Sequence, residues 1–170
     1  RTTTYMYDNI YIGNIIFIRK ATIMILKNAL INDTVTDIII ESGKIADVCK
    51  TELHGIDLNG SRVIPGLIDI HAHGCVGHDT MDGEFSEMSQ YLARNGTTSW
   101  YPTTMTAPFS RINKITASKL PESGANIPGF HLEGPYISKK YKGAQNEIYI
   151  KNPDIHDVEN TERVKLITLA

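Results

Sequence analysis

Cysteine is nearly absent from this 170-residue chain. Cys49 and Cys75 are the only two, they form no C-x-x-C pair, and no disulfide framework can be built from them. A reducing, cytoplasmic setting is the expectation. Excess charge of one sign is missing as well: 17 Lys and Arg against 19 Asp and Glu leave a formal net charge of -2, and no basic cluster exceeds two residues. Nucleic acid and anionic membrane are thereby set aside as partners. Long apolar runs are interrupted too, since Arg19, Lys20 and Lys27 break the Ile-, Leu- and Met-rich stretch at 10–31, so no membrane span is expected. The opening residues lack the basic, apolar and small-residue succession of a secretory signal. No G-x-G-x-x-G and no G-x-x-x-x-G-K-[ST] occurs, which removes the phosphate loops of the common nucleotide-binding folds.

What remains is an ordinary globular composition, 41% apolar and 21% charged. Residues 1–22 begin with Arg1 and bear no clear relation to the strand pattern that starts at residue 23, so an extension and a first strand around Tyr11–Ile18 both stay open. From residue 23 short β-prone runs alternate with turn residues: 23–26, Asn32-Asp33, 36–40, Ser42-Gly43, 45–48. A further hairpin is predicted where Asn59-Gly60 separates 56–58 from 62–64. Residues 23–63 thus read as a small antiparallel β segment. After Pro65-Gly66 strands and helices alternate, with strands at 66–72, 97–104, 128–133 and 164–169 and helices at 84–94, 109–120 and 154–162. Asn95-Gly96 reads as a left-handed helix stop, and Pro108 as the start of the second helix. Helices between strands imply parallel crossovers. With no phosphate loop and with polar His73, Thr103-Thr104 and Glu133 at strand ends, a (β/α)₈ barrel is preferred to a doubly wound sheet. Residues 64–170 hold about four strands where a barrel needs eight, and Val164–Ala170 reads as a strand without a cap, so a truncated half-barrel is expected.

Ile64-Pro65-Gly66-Leu67-Ile68-Asp69-Ile70-His71-Ala72-His73-Gly74 carries the sharpest signal. Side chains two apart on a strand share a face, so His71 and His73 project together as a pair of metal ligands. Asp69 lies on that face and is a candidate to orient an imidazole. Glu133 ends an apolar run just before Gly134-Pro135 and is the candidate third ligand; His131 shares its face as a ligand or an orienter of substrate. Cys75 continues the alternation, but Gly74 bends the chain before it. His78, in the next loop, is a candidate substrate contact. His54 and His156 sit in polar surroundings and read as surface residues. Lys139, Lys140 and Lys142 place positive charge on a loop beside Glu133 and are compatible with a phosphorylated substrate.

These residues resemble a known family. The Pro65–Gly74 segment resembles the metal-binding opening of the amidohydrolase superfamily. Gly77–Asp82, Asn95–Thr98, Pro102–Thr104, Gly129–Tyr136 and Lys142-Gly143-Ala144 are similar, more narrowly, to N-acetylglucosamine-6-phosphate deacetylase, over about residues 23–170. The resemblance implies a β-sandwich built from both chain ends beside a distorted (β/α)₈ barrel, in a homodimer. It implies one or two divalent ions, zinc or iron, and hydrolysis of an acetamide on a phosphorylated amino sugar. Glu133 is then a metal ligand, His71 and His73 hold a second ion in members that have it, and Ala144 touches the sugar through its backbone. Gln145, a further candidate substrate contact on the resemblance, stands where many members have His. Two further histidines and the catalytic aspartate match nothing within residues 1–170, so no catalytic residue is expected in this segment and it should be inactive alone. Competing readings are another amidohydrolase, such as a dihydroorotase or hydantoinase, and a non-catalytic binding module.

Overall fold

The computed structural model describes residues 5–7, 10–12, 23–154, 156–157 and 161–170. They fall into two compact units, Arg1–Leu67 and Ile68–Ala170. In the first, β1 (Tyr5–Tyr7) and β2 (Ile10–Ile12) pair antiparallel. The candidate strand over 11–18 otherwise lies outside the described residues. The expected meander forms from β3 (Met24–Ile31), β4 (Thr34–Glu41) and β5 (Lys44–Val48). Asn32 and Asp33 turn the first hairpin with φ of 45° and 64°, the backbone that matches strand twist in a two-residue loop. Met24, Leu26, Ala29, Ile38 and Ile40 bury one face.

β3 runs five residues past the predicted stop at 26 because its polar interruption is itself structural. Lys27 Nζ lies 2.9 Å from Asp37, and the Asn28 N–H donates to the same carboxylate at 2.8 Å. The ladder register shifts there, between Leu26 and Ala29, with Asn28 at φ 55°. That bulge also overturns the predicted 56–64 hairpin. The turn itself is present, with Asn59 and Gly60 at φ 52° and 75° and Ser61 N bonded to Leu58 O at 2.8 Å. Its flanks do not pair with each other. β6 (Ile56–Asp57) runs parallel to β3, and Arg62 bridges parallel to Leu30. Gly60 N donates to Asn28 O at 2.9 Å, so the turn sits on the bulge while both flanks use one edge of β3.

The second unit opens with β7 (Leu67–Ala72), whose first residue closes the unit before it, followed by a small ribbon of β8 (Gly74–Cys75) and β9 (His78–Asp79). Then come α1 (Ser86–Arg94), β10 (Thr97–Thr104), α2 (Phe109–Thr116), β11 (Phe130–Glu133) and β12 (Val164–Thr168). Four of these strands form one sheet in the order β7-β10-β11-β12, and β10, β11 and β12 pair parallel. Order in space equals order in sequence, with no reversal of the kind that makes a doubly wound sheet. Gly96 at φ 91° stops α1, and Pro108 is the N-cap of α2. α2 ends at Thr116, short of the predicted 120; Leu120 itself precedes Pro121, whose ring disfavours helix at that position. Arg163 caps the exit by donating to Ser118 O at 3.0 Å. The helix predicted over 154–162 is not seen in its described part, which is a turn at 156–157 and a 3₁₀ turn at Thr161–Arg163; residues 155 and 158–160 lie outside the described residues.

Phe85 packs edge-on against Trp100 and Phe130 in the core, and buried Trp100 donates to Ser89 Oγ at 3.0 Å. Gly134 is required where β11 ends: it adopts φ 83°, and a Cβ there would collide with Thr106 Oγ1. That close approach brings the loop after β10 against Glu133. No helix among the described residues is long and apolar enough to cross a membrane.

Candidate metal centre

His71 lies near the end of β7 and His73 directly after it, and the two-residue period sets their Nε2 atoms 3.1 Å apart. Glu133, last residue of β11, meets both, with Oε1 3.5 Å from His71 Nε2 and Oε2 3.0 Å from His73 Nε2. Among the described residues these three form the group able to hold a metal, with ligand atoms all within 4.8 Å of one another. Their side chains are partly open to solvent, 42%, 34% and 26% exposed respectively.

The donor set fits a divalent cation. His73 Nδ1 lies 3.0 Å from the Thr103 carbonyl oxygen, which can only accept, so the ring hydrogen sits on Nδ1 and the Nε2 lone pair is free. Two imidazole nitrogens facing each other need a proton or a cation between them. Metal–nitrogen bonds of about 2.0–2.1 Å at tetrahedral angles put neighbouring ligands about 3.3 Å apart. The three observed separations, 3.1, 3.0 and 3.5 Å, bracket that edge.

His131 joins the sheet rather than the ligands. Its Nδ1 lies 3.0 Å from Ile70 O and so carries the hydrogen, and its Nε2 lies 2.8 Å from Thr168 Oγ1, which leaves that lone pair taken. Burial pulls its pKa down, with the neighbouring imidazoles adding to the effect. The ring lies edge-on to His71 at 4.9 Å and so props a ligand. Asp69 does not orient an imidazole through any contact seen here; its carboxylate accepts from the backbone N–H of His71 at 3.0 Å, which fixes the strand. Cys75 is a half-buried free thiol outside the ligand group, its pKa raised chiefly by burial.

A cavity of about 440 Å³ opens beside the centre, lined by His73, Glu133, Lys142, Ala144, Gln145 and Thr168 among others. Ala144 is exposed and Gln145 is buried against Glu133. Lys142 donates to Gln145 O at 3.2 Å, whereas Lys139 and Lys140 are exposed on a 3₁₀ turn. His78 is not among these residues. It pairs with Glu87 at 3.1 Å and lines a wider hollow of about 710 Å³ bounded by the start of α1 and by 118–123, where no comparable donor set converges. His54 and His156 are exposed, as expected. Sequence reasoning missed the Thr103 carbonyl, Thr106 and Thr168; only the strand-end position of Thr103 was a signal.

A deacetylase of Lysinibacillus sphaericus that acts on N-acetylglucosamine 6-phosphate, by its name, is 33% identical over 172 residues, covering 91% of this chain and 44% of that protein. The protein of the same name from Bacillus subtilis is 38% identical over 126 residues, covering 65% and 32%. The solved structure of the Thermotoga maritima deacetylase superposes with a TM-score of 0.68 at 33% identity, covering 86% of this chain and 42% of that one. This chain matches the N-terminal part of N-acetylglucosamine-6-phosphate deacetylase. It spans less than half the length of the relatives it matches. No family model matches the sequence. The expected resemblance is found in sequence and in fold, over 65–91% of the chain in these matches.

Proposed function

We propose that the protein is a metal-dependent amide hydrolase that removes acetate from N-acetylglucosamine 6-phosphate, and that this chain supplies the first part of its active site. The observation that carries the reading is the convergence of His71, His73 and Glu133 in a chain matching the opening of deacetylases of that name. A zinc or iron ion held there, one or two per site, would supply Lewis acidity toward water and toward the amide carbonyl. The chain's own residues prepare that chemistry. Thr103 holds His73 in one tautomer, and Ile70 and Thr168 fix His131 beneath His71. Ala144 offers its backbone to the sugar at the cavity wall, and Lys142 stands where a phosphate-bearing ligand would meet positive charge. On the resemblance, the remaining ligands and the proton-transferring aspartate are assigned to residues outside 1–170. β7, β10, β11 and β12, neighbours in chain order, are then the first four strands of a (β/α)₈ barrel, and the β3–β6 sheet is part of a flanking β-sandwich. A homodimer in the cytoplasm completes the proposal; the two free thiols are compatible with a reducing compartment.

The test is acetate release from N-acetylglucosamine 6-phosphate by the gene product, with and without chelator. Release that disappears with chelator and returns with zinc or iron supports the assignment. Metal-loaded protein that leaves the substrate intact, or turnover indifferent to chelator, overturns it. The 170-residue chain alone is expected to bind metal weakly and to turn over nothing.

A further inference from the structure

The geometry points to Gln145 as a positioning residue for the metal ligand Glu133, setting metal affinity rather than contacting the sugar; this rests on the metal-centre reading above. Gln145 is only 6% exposed although it borders the cavity. Its Oε1 accepts from the Thr106 backbone N–H at 2.7 Å, and its Nε2 donates to Glu133 Oε2 at 2.7 Å. A backbone N–H can only donate, so the amide cannot flip: oxygen must face Thr106 and the NH₂ must face the carboxylate. The second Nε2 hydrogen has Met105 Sδ at 3.5 Å. Both amide hydrogens therefore have partners before any ligand arrives.

Thr106 closes the arrangement into a ring. Its hydroxyl reaches the Glu133 carbonyl at 3.4 Å, so one residue ties the backbone of Glu133 while its N–H aligns the amide that ties the side chain. Gly134 makes room, because any Cβ there would occupy the place of Thr106 Oγ1. Lys142 and Gln145 are joined by Gln145 N to Lys142 O at 3.0 Å and Lys142 Nζ to Gln145 O at 3.2 Å, which fixes the amide's own backbone. The result is a carboxylate whose Oε2 is held toward His73 while Oε1 is left toward His71. Partners of this kind, one bond removed from the ion, commonly set metal affinity by about 10–100-fold.

Cobalt(II) is the probe, titrated into the complete gene product and followed by its visible absorption and by competition with a chelator. Gln145→Leu is expected to weaken cobalt binding about 10–100-fold and to alter the absorption envelope, and to lower the melting temperature of the metal-free protein measurably, because the buried Thr106 N–H loses its acceptor. Gln145→Met keeps the unbranched length without a donor and is read the same way should the leucine variant not fold. In metal-saturated active protein, the leucine variant is expected to keep the wild-type KM. Wild-type protein that binds cobalt beside a variant that binds it within twofold, or a raised KM at unchanged cobalt affinity, overturns the role given to Gln145 alone. Wild-type protein that takes up no cobalt overturns the metal centre, and this role with it.

Discussion

Two carboxylates, Asp37 in the first unit and Glu133 in the second, show what separates a structural acid from a ligand. Asp37 is fully buried and surrounded by donors: the Asn28 and Thr51 N–H groups at 2.8 and 3.0 Å, and Lys27 and Lys50 at 2.9 and 3.4 Å. Lys27 is itself held by the Thr51 carbonyl. Chiefly the Asn28 N–H, then Lys27 and Thr51, keep the Asp37 carboxyl well below the usual carboxylate range. Nothing is left for a ligand to satisfy. Glu133 is part-exposed and has one amide donor, Gln145, while its other neighbours are the imidazoles of His71 and His73, which with it form a group able to hold a cation. Charge completed from within makes a fold element; charge left for an incoming ion makes a site.

The largest expected effect falls on the open carboxylate. In the complete gene product, Glu133→Gln should lower divalent metal affinity by more than the roughly 100-fold upper range of outer contacts and abolish the proposed acetate release, with the metal-free melting temperature nearly unchanged; undiminished turnover would remove the role given to Glu133. Asp37→Ala should do the opposite, lowering the melting temperature by on the order of 10 °C, since breaking a buried charge cluster leaves its partners uncompensated. Cobalt affinity in that variant should stay within about threefold, and a large loss of affinity would erase the distinction between the two acids.

Acid sharpens the same contrast. The folded carboxyl of Asp37 titrates below its unfolded value, so its stabilisation is whole above about pH 4 and fades as pH falls further toward the folded pKa. Melting temperature should therefore fall more steeply below that point in wild type than in Asp37→Asn; parallel profiles would deny Asp37 its part. The smallest effect is expected for His78→Ala. Its partner Glu87 is 73% exposed, and exposed pairs contribute about 0–1 kcal/mol, so melting and cobalt affinity should hardly move. A clear loss of metal or substrate affinity would return His78 to the site.

Legibility in the sequence followed the range of the physics involved. His71 and His73 were readable because a strand's period of two is local, and Glu133 because Gly134-Pro135 marks the end of its strand. The turn at Asn59-Gly60 was readable for the same reason. Its pairing was not, since both flanks dock on a bulge at Asn28 created by the buried charge of Asp37, a contact across the sheet. The amide of Gln145 bonds Thr106 across 39 residues, and no pattern along the chain signals which way such an amide faces. His78 resembled a site residue by proximity in sequence to His73. The β8–β9 ribbon then directs it toward Glu87 instead.

The most direct test of the metal centre is anomalous diffraction from crystals of the complete gene product equilibrated with zinc. A peak is expected within coordination distance of His71 Nε2, His73 Nε2 and a Glu133 oxygen, with Gln145 still bonded to that carboxylate. Peaks only elsewhere, or none among these three side chains, would contradict it.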